Sequence, residues 1–240
     1  MQDTLLTPSD PKPLRAYRIR WWLLILASAV AGGQGGIWVT YGVIAQAVKP
    51  LYGWTDSTIA LLANWGPICY VIAAWPTSWL LDIHGPRSAC VVGSALVFAG
   101  GIARIAHHET DTTGSVLAHV GQICNGFAGP VAMAIGPVLS SMWFPPSERN
   151  AATAIVATAN YGGSALIFWL GSSCVPPGAS AAHTRDQLWQ FMLGECIFGG
   201  VIFARKLSRD LPQPQRLSLS TTYIWHCPLL SPMYTTSIVF

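Results

Sequence analysis

One carboxylate, Glu195, lies seven residues inside the otherwise uncharged stretch Leu188–Ala204. An ionised carboxylate is costly in apolar surroundings, so it must be protonated, paired or turned to water. Those are the properties of a proton-coupling or cation-attracting group. The alternative is a structural pair with Arg104, the other charge that falls within an apolar stretch. Neutral polar residues also recur at helical spacing. Gln34, Trp38 and Tyr41 (i, i+4, i+7) share one helix face, and Gln122 and Asn125 (i, i+3) share another, with His119 on the same side. Asn160 and Tyr161 sit together, and Asn64 lies alone. Aromatic rings beside amides suit a flat or cationic polar solute, held by stacking, cation–π contact and hydrogen bonds. The same side chains also serve as interhelical bonds, worth about 0.6 kcal/mol each in membranes.

Other chemistry finds little support. A serine hydrolase inside a membrane needs a nucleophile and a facing His base. Ser164 sits in Tyr161-Gly162-Gly163-Ser164-Ala165, which is not the G-x-S-x-G elbow, and His119 is the one His in an apolar stretch. No motif joins the two, so the chain reads as a non-enzyme. Cys69, Cys90, Cys124, Cys174, Cys196 and Cys227 are scattered, without CxxC or Cys/His spacing. No metal and no cofactor is called for. The net charge of +3 comes from the chain flanks and does not imply nucleic acid.

The elements that must hold these residues follow from charge placement. The 240-residue chain is 52% hydrophobic and only 10% charged, where soluble domains run about 25% charged. Of 13 Lys/Arg and 10 Asp/Glu, only Arg104 and Glu195 fall within six stretches: 21–44, 58–81, 88–106, 115–139, 151–175 and 188–204. A bilayer core of about 30 Å needs about 20 apolar residues in helix, so each stretch predicts a span, the sixth being the shortest. Backbone groups in lipid must bond within their own segment, which makes these runs helices. The expected fold is an all-α membrane protein of six transmembrane helices, a single bundle over 21–204. A tail at 1–20 and another at 205–240 flank it. Pro67, Pro76, Pro130 and Pro137 should kink their helices.

Lys and Arg give the orientation. Ten of them (Lys12, Arg15, Arg18, Arg20, Arg87, Arg149, Arg205, Lys206, Arg209, Arg216) lie on one side and two (Lys49, Arg185) on the other. Both termini are therefore expected to be cytoplasmic, with the first span a signal anchor and Trp21, Trp22, Trp79, Trp143, Trp54 and Trp189 at the interfaces. Short connections suggest that consecutive helices are antiparallel neighbours. Gly32 and Gly36 have GxxxG spacing, and Gly162 and Gly163 form a second small-residue patch. Both read as tight packing or as a pliable helix beside a solute path.

The loops carry a resemblance. Leu80-Leu81-Asp82-Ile83-His84-Gly85-Pro86-Arg87 resembles the D-x-x-G-x-R core of the major facilitator signature, with Ile83 where that signature prefers a base. Asn64-Trp65-Gly66-Pro67-Ile68, the run Gly121–Pro130, and Trp143–Ala154 with its Glu148-Arg149 are similar to solute carrier family 49. That family includes the feline leukaemia virus subgroup C receptor-related transporters and the disrupted in renal carcinoma protein 2 branch, and the resemblance leans to the latter. It covers roughly residues 20 to 210. The resemblance implies a major-facilitator N-terminal bundle, built as a 3+3 inverted repeat, of a protein with twelve spans. It also implies choline, ethanolamine, haem or vitamin B6 as cargo, with proton drive and a lysosomal or plasma membrane.

The sequence-level expectation is therefore a transporter of a small polar or cationic organic solute such as pyridoxine or choline, proton-coupled through Glu195. Its solute-binding candidates are Gln34, Trp38, Tyr41, Gln122, Asn125, Asn160 and Tyr161. Asp82, Gly85, Arg87, Glu148 and Arg149 form the structural loop motif. The chain reads as half of such a transporter, partnered by the lipid bilayer and by a second six-helix bundle or another copy of itself. The alternative is a non-transporting membrane subunit or fragment that packs against full-length transporters. Residues 217–240 read as a tail that does not span.

Overall fold

The computed structural model describes residues 19–207. Of the expected tails at 1–20 and 205–240, residues 1–18 and 208–240 lie outside the described residues, while 19–20 and 205–207 belong to helices. Six helices follow in order: α1 (Ile19–Val43), α2 (Ala45–Tyr52), α3 (Asp56–Ile105), α4 (Thr112–Trp143), α5 (Arg149–Cys174) and α6 (Ala181–Leu207). Five of them are long and apolar enough to cross a membrane. At 1.5 Å per residue, a straight α3 of 50 residues would be about 75 Å long, more than twice the apolar thickness. It is not straight. Gly85 adopts φ 79° and ψ 172°, a backbone conformation that side chains with a Cβ avoid, and the chain reverses there into two arms.

The contacts prove the reversal. Along the first arm, Leu62, Trp65 and Cys69 meet Ala118, His119 and Gly126 of α4, rising in the same direction. Along the second arm, Gly100 meets Gly121 and Gly93 meets Val131, running the opposite way. With α3 crossing twice, the bundle has six transmembrane crossings. The end where α1 begins is called the near end here, and the end where it finishes is the far end.

The crossings repeat in threes. α1 lies parallel to α5, Gly32 against Ala159 and Gly36 against Gly163 and Ile167. The first arm of α3 lies parallel to α4 in the corresponding way. α1 runs antiparallel to α6, and the second arm antiparallel to α4. Chain order therefore does not decide neighbours: α5 packs chiefly along α1 and hardly touches α6, contrary to the reading from short loops. The reason is the small-residue surface. At Gly32 an added Cβ would lie 2.9 Å from the Ala159 carbonyl oxygen, and at Gly163 it would strike the Gly32 carbonyl outright. Helices in lipid associate through close packing rather than through water exclusion, so the pair able to approach most closely is the pair that forms.

One further expectation changes. The connection read as loop at 45–57 contains α2, closed by Gly53 at φ 67°, whose N–H donates to the Lys49 carbonyl. Pro67, Pro76, Pro130 and Pro137 lie within helices, and the residue with non-helical dihedrals inside α3 is Gly85. Trp54 and Trp189 are half-buried in the far-end packing. Trp54 donates to Ser115 Oγ and stacks on Tyr52, while Trp189 donates to the Ile105 carbonyl. Trp21 and Trp79 at the near end are half exposed. The far end is locked by a cluster around Tyr41, Ile44, Val48, Leu62, Val175 and Leu188.

Candidate functional site

Glu195 is buried where α6 faces both α1 and the second arm of α3. Its Oε1 accepts from Thr40 Oγ1 at 2.6 Å, and its Oε2 accepts from Arg104 Nη1 at 2.7 Å. The side chains of Arg104 and Glu195 are only 1% and 6% exposed. One carboxylate thus ties three helices together, and the pairing with Arg104 raised from the sequence is present. Position explains how the two meet. Gly121 on α4 has no side chain, so the Arg104 stem lies flat across it. An added Cβ there would strike Cγ of Arg104. Beside the pair, the Tyr41 hydroxyl donates to Met192 Sδ at 3.7 Å.

The amide candidates form a second polar layer nearer the middle of the bundle. Asn160 Nδ2 donates to the Ala31 carbonyl at 2.8 Å and to Gln34 Oε1 at 3.1 Å. Asn125 donates to the Gln34 carbonyl at 3.2 Å, Gln122 to the Ile37 carbonyl at 3.3 Å, and Ser164 to the Gly35 carbonyl at 2.9 Å. Gln34, Gln122, Asn125 and Asn160 are all buried. They converge on the backbone of α1 and act between helices. Asn125 Oδ1 alone among these amide atoms is buried without a partner.

The aromatic candidates are dispersed. Trp38 is 42% exposed and donates to the Ala63 carbonyl at 2.8 Å, while Tyr161 is 71% exposed on the outer face of α5. Tyr41 is buried at the far end. Gln34, Trp38 and Tyr41 therefore do not line one common face of a cavity. His119 accepts from Trp65 Nε1 at 2.9 Å through Nδ1, and Ser164 is bonded to α1, so the two make no dyad.

In the near-end motif, Gly85 makes the reversal, Asp82 is exposed and Arg87 is half-buried. Glu148 pairs with buried Arg20 at 3.0 Å, Arg20 lies over the rings of Trp21 and Phe144, and Arg149 Nε donates to the Phe144 carbonyl. The start of α5 is thereby fastened to the start of α1.

The sequence reading passed over the far end, where residues of five helices and the loop between α3 and α4 line a shallow cleft with room for about one water. Tyr41, Tyr52, Arg104, His107, His108 and Arg185 line it, together with Leu188 and Trp189. One ion pair, Arg185 with Glu109, and two His–carboxylate contacts, His107 with Asp111 at 3.0 Å and His108 with Asp186 at 3.3 Å, brace its rim. The signal available in the sequence was the clustering of His107, His108, Glu109, Asp111, Arg185 and Asp186 at two loops of one face.

Asp111 also caps α4, its Oδ1 accepting from the Gly114 N–H at 2.9 Å. That bond, and secondarily His107, holds its carboxyl below the usual carboxylate range of about 4. A folded-state value below the unfolded one means the stabilisation is complete above the unfolded value. It is lost as the pH falls through the folded value. Thermal unfolding in detergent from pH 6 to pH 2.5 is expected to show an acid drop that shrinks in Asp111→Asn, which keeps the cap and removes the titration. An identical drop in the variant would refute the assignment.

Comparison with known proteins agrees with this architecture. Residues 21–234 match the family model of the Major Facilitator Superfamily. The chain is 38% identical over 217 residues to the solute carrier family 49 member 4 homolog of Xenopus laevis, covering 86% of this chain and 47% of that protein. It is 34% identical over 217 residues to the Xenopus tropicalis homolog, with the same coverage of 86% and 47%. It is 25% identical over 205 residues to the choline/ethanolamine transporter FLVCR2 of Homo sapiens, covering 81% of this chain and 36% of that one. The chain spans about half the length, or less, of these curated relatives. With six crossings repeating in threes, a glycine reversal in the Asp82–Arg87 motif and this family match, the chain belongs to the Major Facilitator Superfamily, and its relatives there are those of solute carrier family 49.

Proposed function

We propose that the chain forms a transport bundle for a small polar or cationic organic solute, choline or pyridoxine in kind, with Glu195 as its proton-coupling group. The observation that carries this reading is Glu195 itself: a buried carboxylate held by Thr40 and Arg104 where three helices meet. Gain or loss of one proton there changes the bonds between those helices, which is what coupling a proton to a helix rearrangement requires. The kinship with the choline/ethanolamine transporter FLVCR2 of Homo sapiens supports the solute class. The ten-to-two Lys/Arg bias supports cytoplasmic termini, and a lysosomal or plasma membrane is proposed from the family resemblance alone.

Gln34, Trp38, Tyr41, Gln122, Asn125, Asn160 and Tyr161 remain the proposed solute contacts. The amides reach a solute only by exchanging their bonds to α1 for bonds to it, and Trp38 and Tyr161 reach it from the exposed faces of α1 and α5. A second six-helix bundle or a second copy fits those faces. The exposed Trp75 and Trp169 favour a second reading, in which the chain is a membrane subunit that packs against full-length transporters.

Proteoliposomes holding the chain, with labelled choline or pyridoxine outside and an inward proton gradient, separate the readings. Uptake that collapses on adding a protonophore, and that loses its gradient dependence in the Arg104→Gln/Glu195→Gln pair, is expected. Changing both residues avoids leaving one buried charge alone. No flux at any lipid ratio would sink the transport reading. Co-purification with the full-length Xenopus homolog, without flux, would establish the second.

A further inference from the structure

Pro67 lies within the first arm of α3 and has no N–H, so the helical bond that would reach the Ala63 carbonyl four residues back cannot form. A side chain from another helix takes its place. Trp38 of α1 donates its Nε1–H to that carbonyl at 2.8 Å. A bare carbonyl is costly in lipid, so the bond stabilises the arm while it fixes the ring. The neighbouring indole on the arm is engaged elsewhere, since Trp65 donates to His119 Nδ1 at 2.9 Å.

Room for the Trp38 ring comes from Gly66. An added Cβ there would lie 2.7 Å from Trp38 Nε1 and 3.0 Å from its Cε2, so no side chain can stand at 66 without displacing the indole. Two consecutive residues thus make a seat: Pro67 opens the acceptor and Gly66 clears the approach to it. The ring is held by its N–H edge, yet Trp38 is still 42% exposed and offers surface to a solute in a fixed orientation.

We propose that Gly66 and Pro67 are positioning residues of the transport bundle, acting through Trp38. The assignment rests on the reading of Trp38 as a solute contact and adds what orients it. A ring that is already oriented need not be ordered when the solute arrives, and such ordering weakens affinity by about twofold to tenfold per side chain.

The test uses the whole chain, labelled with 15N at its Trp indoles, in dodecyl maltoside micelles, whose headgroups carry no amine to compete. The Trp38 signal is the one missing from Trp38→Phe. Two properties of that signal are measured: hydrogen exchange of its N–H, and its shift on titration with choline and with pyridoxine. Exchange is expected to quicken by about tenfold in Gly66→Val and in Pro67→Ala, the weight of one lost hydrogen bond. Apparent affinity for the solute is expected to weaken by about twofold to tenfold in both, with Gly66→Ala in between. Pro67→Ala restores a backbone N–H to the helix and is not expected to lower the unfolding midpoint. Weaker binding in that variant therefore reports orientation and not damage, and it carries the test should Gly66→Val fail to fold. Exchange unchanged in the variants would overturn the seat, whatever the solutes do. Quickened exchange with undiminished affinity would overturn the positioning role. A protected wild-type indole that neither solute shifts would overturn Trp38 as a solute contact, and the positioning role with it.

Discussion

Gly163→Leu is expected to destabilise the bundle by about 3 kcal/mol or more, at the upper end of what overpacking costs. Most overfilled cores relax by moving a side chain, but here the obstacle is backbone. The first carbon of any side chain at Gly163 would strike the Gly32 carbonyl, so α1 and α5 must separate along their length. That separation would also stretch the Asn160–Ala31 and Ser164–Gly35 bonds. The neighbouring residue supplies the control. Gly162 has nothing within 4 Å of where its Cβ would be. Gly162→Ala is therefore expected to be neutral or stabilising by about 0.5–1 kcal/mol, the helix preference of Ala over Gly. Denaturant unfolding of both variants in mixed micelles measures the difference, and equal stability of the two would disprove the close crossing.

The Arg104–Glu195 pair carries the second large effect. Glu195→Leu leaves a buried guanidinium without its counter-charge and is expected to cost about 3–5 kcal/mol. Arg104→Met alone leaves the carboxylate bonded only to Thr40 and is expected to cost a similar amount. The double variant Arg104→Met/Glu195→Leu removes both charges and restores apolar packing, so it should recover most of the loss. A double-mutant cycle on unfolding free energies reads the coupling directly. Additive losses would mean that the two side chains do not act as a pair.

Much of the architecture was legible because lipid simplifies the problem. Where no charge can go, a helix must, and the positions of 23 charges outlined six crossings. Gly85 was legible for the same kind of reason: a motif that requires a sharp reversal places glycine where φ is positive. Helical period told which residues share a face but not what lies opposite. Gln122 and Asn125 do share a face, and it meets the α1 backbone instead of a cavity. Asn160 and Tyr161, adjacent in sequence, are about 100° apart around the helix, so one had to turn outward once the other turned in; Tyr161 is the outward one. The α1–α5 pairing was hidden because a glycine patch names no partner until three-dimensional register is known. The far-end cleft was hidden because its lining comes from five helices and one loop, each unremarkable alone.

Glycine at 32, 33, 35 and 36 would leave an isolated helix limp in its middle turns. Instead, four side chains from α4 and α5 clasp carbonyls at Ala31, Gln34, Gly35 and Ile37, splinting that weak stretch from outside. The three helices are consequently braced against one another along that stretch, and the bend at Gly85 lies outside the braced unit.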